Sequence, residues 1–409
     1  MIIQRTFMGF IAVLALLFWD HPLQAQFYFE KVKPRFEFQP ENRKSFYSRS
    51  RYNRIEGLFL NLGLKVKPRG AESWTFYADG GYGFKNDPGR RWKYNFGFEK
   101  EVLSPSMLTI GARYFYDLYT LDQWIINLTE NSVAALFNHN DYMDYVDRKG
   151  GMLFVDYKLQ QLHTLRFELL RYEYRPLSTT PNTQWSLFNR KKQFARNPYP
   201  APAYLFKPGR ETSLRFMAAF DFRDNPIFPL IGWYFEGILE KTFGDFNTTG
   251  LFLTLKRYQP TFGNQRLKVR LRFGSRSGSF AFQHLMSLGG LGNLRSYEHK
   301  EFIGNRLLYG TLYYSFGGDL LQRLPLDVIP FWETLALGIF LDAGYAWFAD
   351  TADPNAGLFS MGDFSLNQIK TDAGFSLIFT EGLIRLDFAR RLDKRDAAWE
   401  VYFRILDKF

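Results

Sequence analysis

Residues Arg266–Phe273 read RLKVRLRF: Leu267, Val269, Leu271 and Phe273 fall on one side of an extended chain, and Arg266, Lys268, Arg270 and Arg272 on the other. Successive side chains of a β-strand point to opposite faces, so this spacing gives a strand with one apolar and one cationic side. A soluble sheet can turn such a cationic face to water, so this strand alone does not decide the fold. Its recurrence does. Leu214, Phe216, Ala218, Phe220 and Phe222 alternate with residues that include Arg215 and Asp221, and Ile384–Phe388 repeats the pattern. Near the C-terminus Trp399, Val401, Phe403 and Ile405 alternate with Glu400, Tyr402 and Arg404. A barrel with lipid outside and water or polar packing inside requires this alternation in every strand.

Composition narrows the classes further. The 409 residues include 44 Phe, 24 Tyr and 9 Trp, so 19% are aromatic, yet mean hydropathy is only −0.27. Apolar residues are therefore diluted by polar ones at short range. Beyond the extreme N-terminus there is no run of about 18 apolar residues, the length a membrane-spanning helix needs. Cys is absent, which removes disulfides, thiolate nucleophiles and Cys-ligated metals. A 46% hydrophobic content argues against disorder despite the +11 charge.

Other chemistry finds little support. His139, His163, His284 and His299 lack the i, i+4 spacing of metal ligands. Gly290-Leu291-Gly292 opens like a dinucleotide fingerprint, but the next required glycine is Arg295 and no βαβ unit surrounds it. No Ser/His pair is recognisable on one face. The sequence thus gives no catalytic, cofactor-binding or metal site, and the expectation is a protein that is not an enzyme and carries no cofactor. The basic surplus is ascribed to lumenal lining or anionic lipid headgroups, with no nucleic acid as partner.

Residues 1–25 read as a secretory signal peptide, with Arg5 as the positive end, Phe7–Trp19 as the apolar core and Leu23-Gln24-Ala25 before a mature start at Gln26. The mature chain, 26–409, is expected to be one outer-membrane barrel domain. Sixteen strands are expected near 27–38, 57–67, 73–85, 91–102, 106–118, 149–160, 163–175 and 213–224, then 231–242, 248–259, 265–275, 306–317, 335–348, 367–379, 383–392 and 398–409. An even count suits a bacterial barrel. If the first strand leaves the periplasm, 39–56 and the long segments 119–148, 176–212, 276–305 and 349–366 fall outside. Short links such as 103–105, 161–162 and 380–382 fall inside, and 318–334 is a long inner exception. Leu128–Phe137 is a candidate short helix in the 119–148 loop. Phe409 ends the chain as outer-membrane barrels commonly end for their assembly machinery, although Asp407 interrupts the usual terminal pattern.

Three segments in order resemble the bacterial surface antigen family, also called the outer membrane protein 85 superfamily. Phe220–Trp233 (FDFRDNPIFPLIGW) resembles a strand–turn–strand carrying Asp221, Arg223, Asp224, Asn225, Pro226 and Pro229 before Gly232. Leu288–Asn305 (LGGLGNLRSYEHKEFIGN) resembles the sixth outer loop, with Gly289, Gly290, Gly292, Arg295, Ser296, Tyr297, Gly304 and Asn305. Gly338–Trp347 (GIFLDAGYAW) resembles a later strand with an Asp-Ala-Gly centre. The resemblance implies an all-β, 16-stranded antiparallel transmembrane barrel whose sixth outer loop folds inward, Arg295 meeting inward carboxylates. Asp342 lies opposite the apolar face of its strand and is one such partner. Tyr313 stands where the family usually has Glu, and Ser296 where it usually has Gly. No N-terminal periplasmic domain is expected, since only about a dozen residues separate Ala25 from the alternating pattern.

The expected function is insertion or translocation of a protein or lipid client through a lateral seam or lumen. A plugged diffusion channel or structural outer-membrane protein is the alternative, and the pore partner of a separately encoded lipase is a second. Expected partners are outer-membrane lipids, an unidentified client, the β-barrel assembly machinery during biogenesis and a second copy of the chain. The seam is placed between 27–38, where Lys31, Lys33, Pro34 and Arg35 weaken pairing, and 398–409, which carries Asp407 and Lys408.

Overall fold

The computed structural model describes residues 36–41, 44–103, 107–159, 162–189, 191–199, 206–226, 229–263, 265–316, 335–349, 357–362, 364–379 and 384–405. The expected signal segment 1–25 and mature start at Gln26, the basic cluster Lys31–Arg35, the expected inner link 318–334 and the terminal Asp407, Lys408 and Phe409 lie outside the described residues.

The first half supplies β1 (Phe36–Glu41), β2 (Lys44–Ser48), β3 (Arg51–Asn53), β4 (Gly57–Val66), β5 (Trp74–Gly83), β6 (Trp92–Leu103) and β7 (Leu108–Tyr119). After the helix α1 (Leu128–Asn138) come β8 (Val146–Leu159), β9 (His163–Arg175), β10 (Gly209–Asp221), β11 (Gly232–Gly244), β12 (Thr248–Pro260) and β13 (Arg266–Gly278). Among the described residues two short strands, β14 (Met286–Leu288) and β15 (Phe302–Gly304), pair only with each other. The chain returns to the main sheet in β16 (Arg306–Ser315), β17 (Ala336–Trp347), β18 (Lys370–Phe379), β19 (Ile384–Arg391) and β20 (Glu400–Ile405). Among the described residues eighteen strands form this one sheet, every pairing in it antiparallel.

The start of the sheet differs from the sequence expectation. The segment 39–56 is mostly strand rather than an outer connection. β1 turns back on β2, and β2 and β3 both pair with β4, leaving 54–56 as the turn. Side chains bridge the interruption at 49–50: Ser48 Oγ donates to the Asn61 carbonyl at 2.7 Å and Ser50 Oγ accepts the Asn61 N–H at 3.0 Å. Hydroxyls thus replace ladder bonds, which is why KSFYSRSRYN shows no clean alternation and reads as a loop. The later strands lie close to their expected spans, with β8 and β10 starting three to four residues earlier.

The alternation is inverted relative to a soluble sheet. Leu62, Leu153 and Val401 are 65%, 56% and 54% exposed, while charged side chains on the opposite face are buried. Those buried charges are paired: Arg166 with Glu168 at 2.6 Å and Asp156 at 2.8 Å, and Glu240 with both Arg215 and Arg276 at 2.6 Å. Burying unpaired ions costs several kcal/mol each, so a charged interior persists only where partners face one another. Much of the basic surplus is used inside.

The strand–turn–strand 220–233 is held by its own side chains. Arg223 forms a two-pronged contact with Asp221 at 2.7 and 2.6 Å, and Asp224 Oδ1 accepts the Leu230 and Ile231 N–H groups at 2.9 and 3.2 Å. Gly232 has φ +126°, and a Cβ there would stand 2.3 Å from the Phe222 carbonyl, so only glycine restarts the strand. Asn225, Pro226 and Pro229 lie within this turn.

Candidate functional site

The segment between β13 and β16 folds over the charged face as a hairpin arm, with β14 and β15 as its legs. At its tip Gly289, Gly290 and Gly292 all have positive φ. A Cβ on Gly292 would meet the Arg404 guanidinium and the Ile125 carbonyl, both at 2.9 Å. Gly290 N–H donates to the Leu294 carbonyl and Tyr297 N–H to the same carbonyl, which coils the tip tightly.

Arg295 projects from this tip onto the sheet. Its guanidinium lies 3.8 Å over the Phe340 ring, with Nε 3.4 Å from Asp342 and 3.6 Å from Asp387. Arg295 is 2% exposed and both carboxylates are fully buried. Ser296 contributes as well: its N–H and Oγ donate to Asp372 Oδ2 at 2.8 and 3.0 Å. Tyr297 donates to the Thr371 carbonyl at 3.2 Å, and Arg391 lies 4.1 Å over its ring. At the base of the arm, Asn305 bonds the Arg276 carbonyl at 3.0 Å and both backbone groups of Ala349 at 2.9 and 2.8 Å. Gly304 packs against the Trp347 backbone too closely for any side chain.

Asp372 and Asp387 are absent from the sequence reading, yet the parity that placed Asp342 inward also places them. Asp387 alternates with Leu386 and Phe388, and Asp372 is the cross-strand partner of Asp342. Tyr313, where a carboxylate was expected, is buried with its ring 5.5 Å from the Arg385 guanidinium, and Arg385 in turn grips Asp387 at 2.7 Å. The second carboxylate for Arg295 comes instead from β19.

Helix α1 makes the other long-range contact. Asn127 caps it by accepting the Glu130 N–H at 2.8 Å, which sets Glu130 in the first turn, where a carboxylate suits the helix dipole. Glu130 receives Arg404 Nε at 2.6 Å and the Ile405 N–H at 3.0 Å, both from β20. Two residues on, Ser132 Oγ accepts the Tyr52 N–H of β3 at 3.1 Å. One turn of one helix therefore touches both β3, among the first strands of the sheet, and β20, the last described one. Among the described residues no ladder joins β1 or β2 to β20.

At the long-loop end four connections interlock. Lys300, from the arm, donates to Asp122 at 2.8 Å and Asp144 at 2.5 Å in the 120–145 loop. Arg54, in the turn after β3, holds Asp144 at 2.6 Å and the Met143 carbonyl at 2.6 Å, while its own carbonyl accepts the Asn182 N–H at 3.0 Å. The 176–199 segment is also tied to α1 by His139 Nδ1 and Ser186 Oγ at 2.6 Å. Both residues are buried and His139 Nε2 lies against the Gln184 carbonyl, so this pair fastens loops rather than presenting a nucleophile.

His299 sits in the same cap between the Tyr142 and Tyr199 rings, at 5.5 and 5.6 Å. Burial, then the neighbouring Lys300 ammonium, push its imidazole down to about 3, against the pull of Asp144. Arg54 opposes its protonation too. The docked ring is thus neutral where a released one, ordinarily near 6.5, takes up a proton. The His299 contribution to docking is complete above pH 6.5 and is lost as pH falls toward 3. Asp144, held below its ordinary value by Lys300 and Arg54 despite burial, adds a loss only at lower pH, and Asp122, raised by burial, acts in the opposite sense. Protease protection of the cap should therefore fall more steeply between pH 6.5 and 4 in the native chain than in His299→Phe, which keeps the ring packing. Identical pH profiles would refute this role for His299.

Residues 41–405 match the family model described as the Omp85 superfamily domain. No curated protein matches the chain. Among solved structures, BamA from Haemophilus ducreyi lacking POTRA domains 1-3 is similar, with TM-score 0.57 and 14% identity over 89% of this chain and 69% of that one. CdiB from Acinetobacter baumannii has TM-score 0.44 and 11% identity, covering 88% and 58% of the two chains. CdiB from Escherichia coli has TM-score 0.40 and 13% identity, covering 88% and 61%, so this chain spans about six tenths of either CdiB. With the family model spanning all but the ends, an inverted all-β sheet beneath it and a BamA-like fold, the chain belongs to the Omp85 superfamily.

Proposed function

We propose that this chain is an outer-membrane barrel that inserts or translocates a protein or lipid client, without catalysis, through a seam between its first strands and β20. The observation that carries the reading is the clamp made by α1. A laddered closure would join two strands by a row of backbone bonds, each adding to the barrier against opening. Here Glu130 holds Arg404 and Ile405 of β20 while Ser132 holds Tyr52 of β3, so among the described residues a few side-chain contacts of one helix link the first strands to the last in place of a row of backbone bonds.

In this reading β2 and β3 form one interrupted strand, β1 is an additional edge strand, and the remaining passes complete a sixteen-stranded wall. The long connections lie outside the cell, and residues 1–25 are the leader that exports the chain. Outer-membrane lipids, the client and the assembly machinery are its partners. One observation favours a plugged channel or structural role instead: the arm and the cap occupy the charged interior.

The test introduces single Cys residues along 44–48 and 400–405, joined by a cleavable bifunctional reagent; the native chain has no Cys to interfere. A locked seam should abolish the cellular role, and cleaving the reagent should restore it. Full activity of the locked barrel would overturn lateral gating, and solute flux through it would then favour the channel.

A further inference from the structure

We infer that the outward face of β6–β10, at its long-loop end, is a binding site for one phosphorylated lipid of the outer leaflet. The inference rests on the outer-membrane reading above, which sets that end of the wall at the outer leaflet. Along β9 the outward side chains run Leu165, Phe167, Leu169, then Arg171, Glu173 and Arg175, so the apolar belt gives way to charge at Arg171. The register gathers further cations at this level: Lys149 of β8 and Arg210 of β10 both stand opposite Glu173. Glu173 is taken by Arg175 at 2.8 Å. Among the described residues, no ion pair or hydrogen bond engages the side chains of Lys149, Arg171 or Arg210. Three positive charges are therefore in surplus where the wall meets the headgroups.

Adjoining this cluster is a dent of about 380 Å³, walled by Phe96, Phe98, Tyr114, Leu153 and Leu169 with Arg171 on its lip. Its space is set by Gly151, the cross-strand partner of Arg171. A Cβ on Gly151 would meet only the Arg113 carbonyl at 3.6 Å and the Tyr114 ring at 3.9 Å, so the backbone admits a side chain there and the sequence supplies none. An acyl chain fits an apolar dent open to the bilayer, and a phosphate meets the guanidinium and ammonium groups above it. Charge complementarity to anionic lipid and an apolar slot coincide on five adjacent strands, β6–β10. A cationic side chain on a lipid-facing wall is tolerated near the interface and costly at the midplane, which agrees with its position at the rim.

The test uses the full chain in detergent with diphosphoryl lipid A as the probe, read by native mass spectrometry. The native protein should retain one lipid. Lys149→Gln/Arg171→Gln/Arg210→Gln should lower retention at least tenfold, and Gly151→Leu, which fills the dent without touching a charge, should do so as well. The dephosphorylated lipid should not be retained by any of them. Equal retention by the variants, or of the dephosphorylated lipid, overturns the site. Mobility on unboiled gels separates the two levels of argument. Variants that still migrate faster unboiled while keeping the lipid refute only this site. A native chain that fractionates as soluble, with no mobility shift, refutes the barrel reading beneath it.

Discussion

Replacing Arg295 by Ala should release the hairpin arm from the sheet. The change removes the cation shared by Asp342 and Asp387 and leaves Asp342 and Asp372, opposed across the β17–β18 ladder, as buried acids. Breaking one side of a buried ion pair costs about 3–5 kcal/mol, because the remaining charge is left in low dielectric without its partner. The measurement is protease cleavage within 286–304, together with the temperature at which unboiled samples lose fast mobility. Asp342→Asn should give a similar but smaller loss, since Asp387 still faces the guanidinium. The double variant should lose less than the sum of the two. Arg295→Lys should rescue poorly, because an ammonium lacks the planar face that lies over Phe340. Fully additive losses would show that Arg295 and Asp342 act independently.

The second large effect is expected at the clamp. Glu130→Ala takes the carboxylate from Arg404, which is 2% exposed and keeps the Ile125 carbonyl, and removes the acceptor of the Ile405 N–H. On the same reasoning about 3–5 kcal/mol is at stake, now localised at the end of β20. Hydrogen exchange should rise in 400–405 while the β11–β13 ladder keeps its protection. Ser132→Ala should loosen the Tyr52 side rather than β20, by about 1 kcal/mol, since it removes the neutral bond from the Tyr52 N–H along with the Ser132 bond to the Leu128 carbonyl within α1. If Glu130→Ala leaves exchange in β20 unchanged, α1 does not control the edge, and the gating proposal loses its carrying observation.

What the sequence discloses here is parity rather than partnership. Alternation in RLKVRLRF correctly separates its two faces, with Leu271 exposed while Arg270 reaches the Gly292 carbonyl at 3.2 Å and Arg272 lies 4.2 Å over the Trp124 ring. Parity likewise placed Asp342 inward, and carried one step further it would have found Asp372 and Asp387. It cannot say that Glu130 meets Arg404, because period two fixes a side chain's face and not which loop descends onto it. β2 and β3, inside the expected connection 39–56, escape the reading for a related reason. Polar Ser48 and Ser50 do the work of backbone bonds there, and a segment without alternation gives no strand signal.

The contact between Glu130 and Arg404 closes 274 residues of chain. Contacts of such separation are slow to form, because loop entropy must be lost before they yield any stabilisation. During biogenesis α1 can adopt its local turn early, but Glu130 cannot meet Arg404 until the last strand is laid down. The order of events is thereby written into the molecule. A chain cut short before residue 404 lacks this contact while keeping the residues of the Ser132 bond to Tyr52, so its first and last strands lose their common fastening.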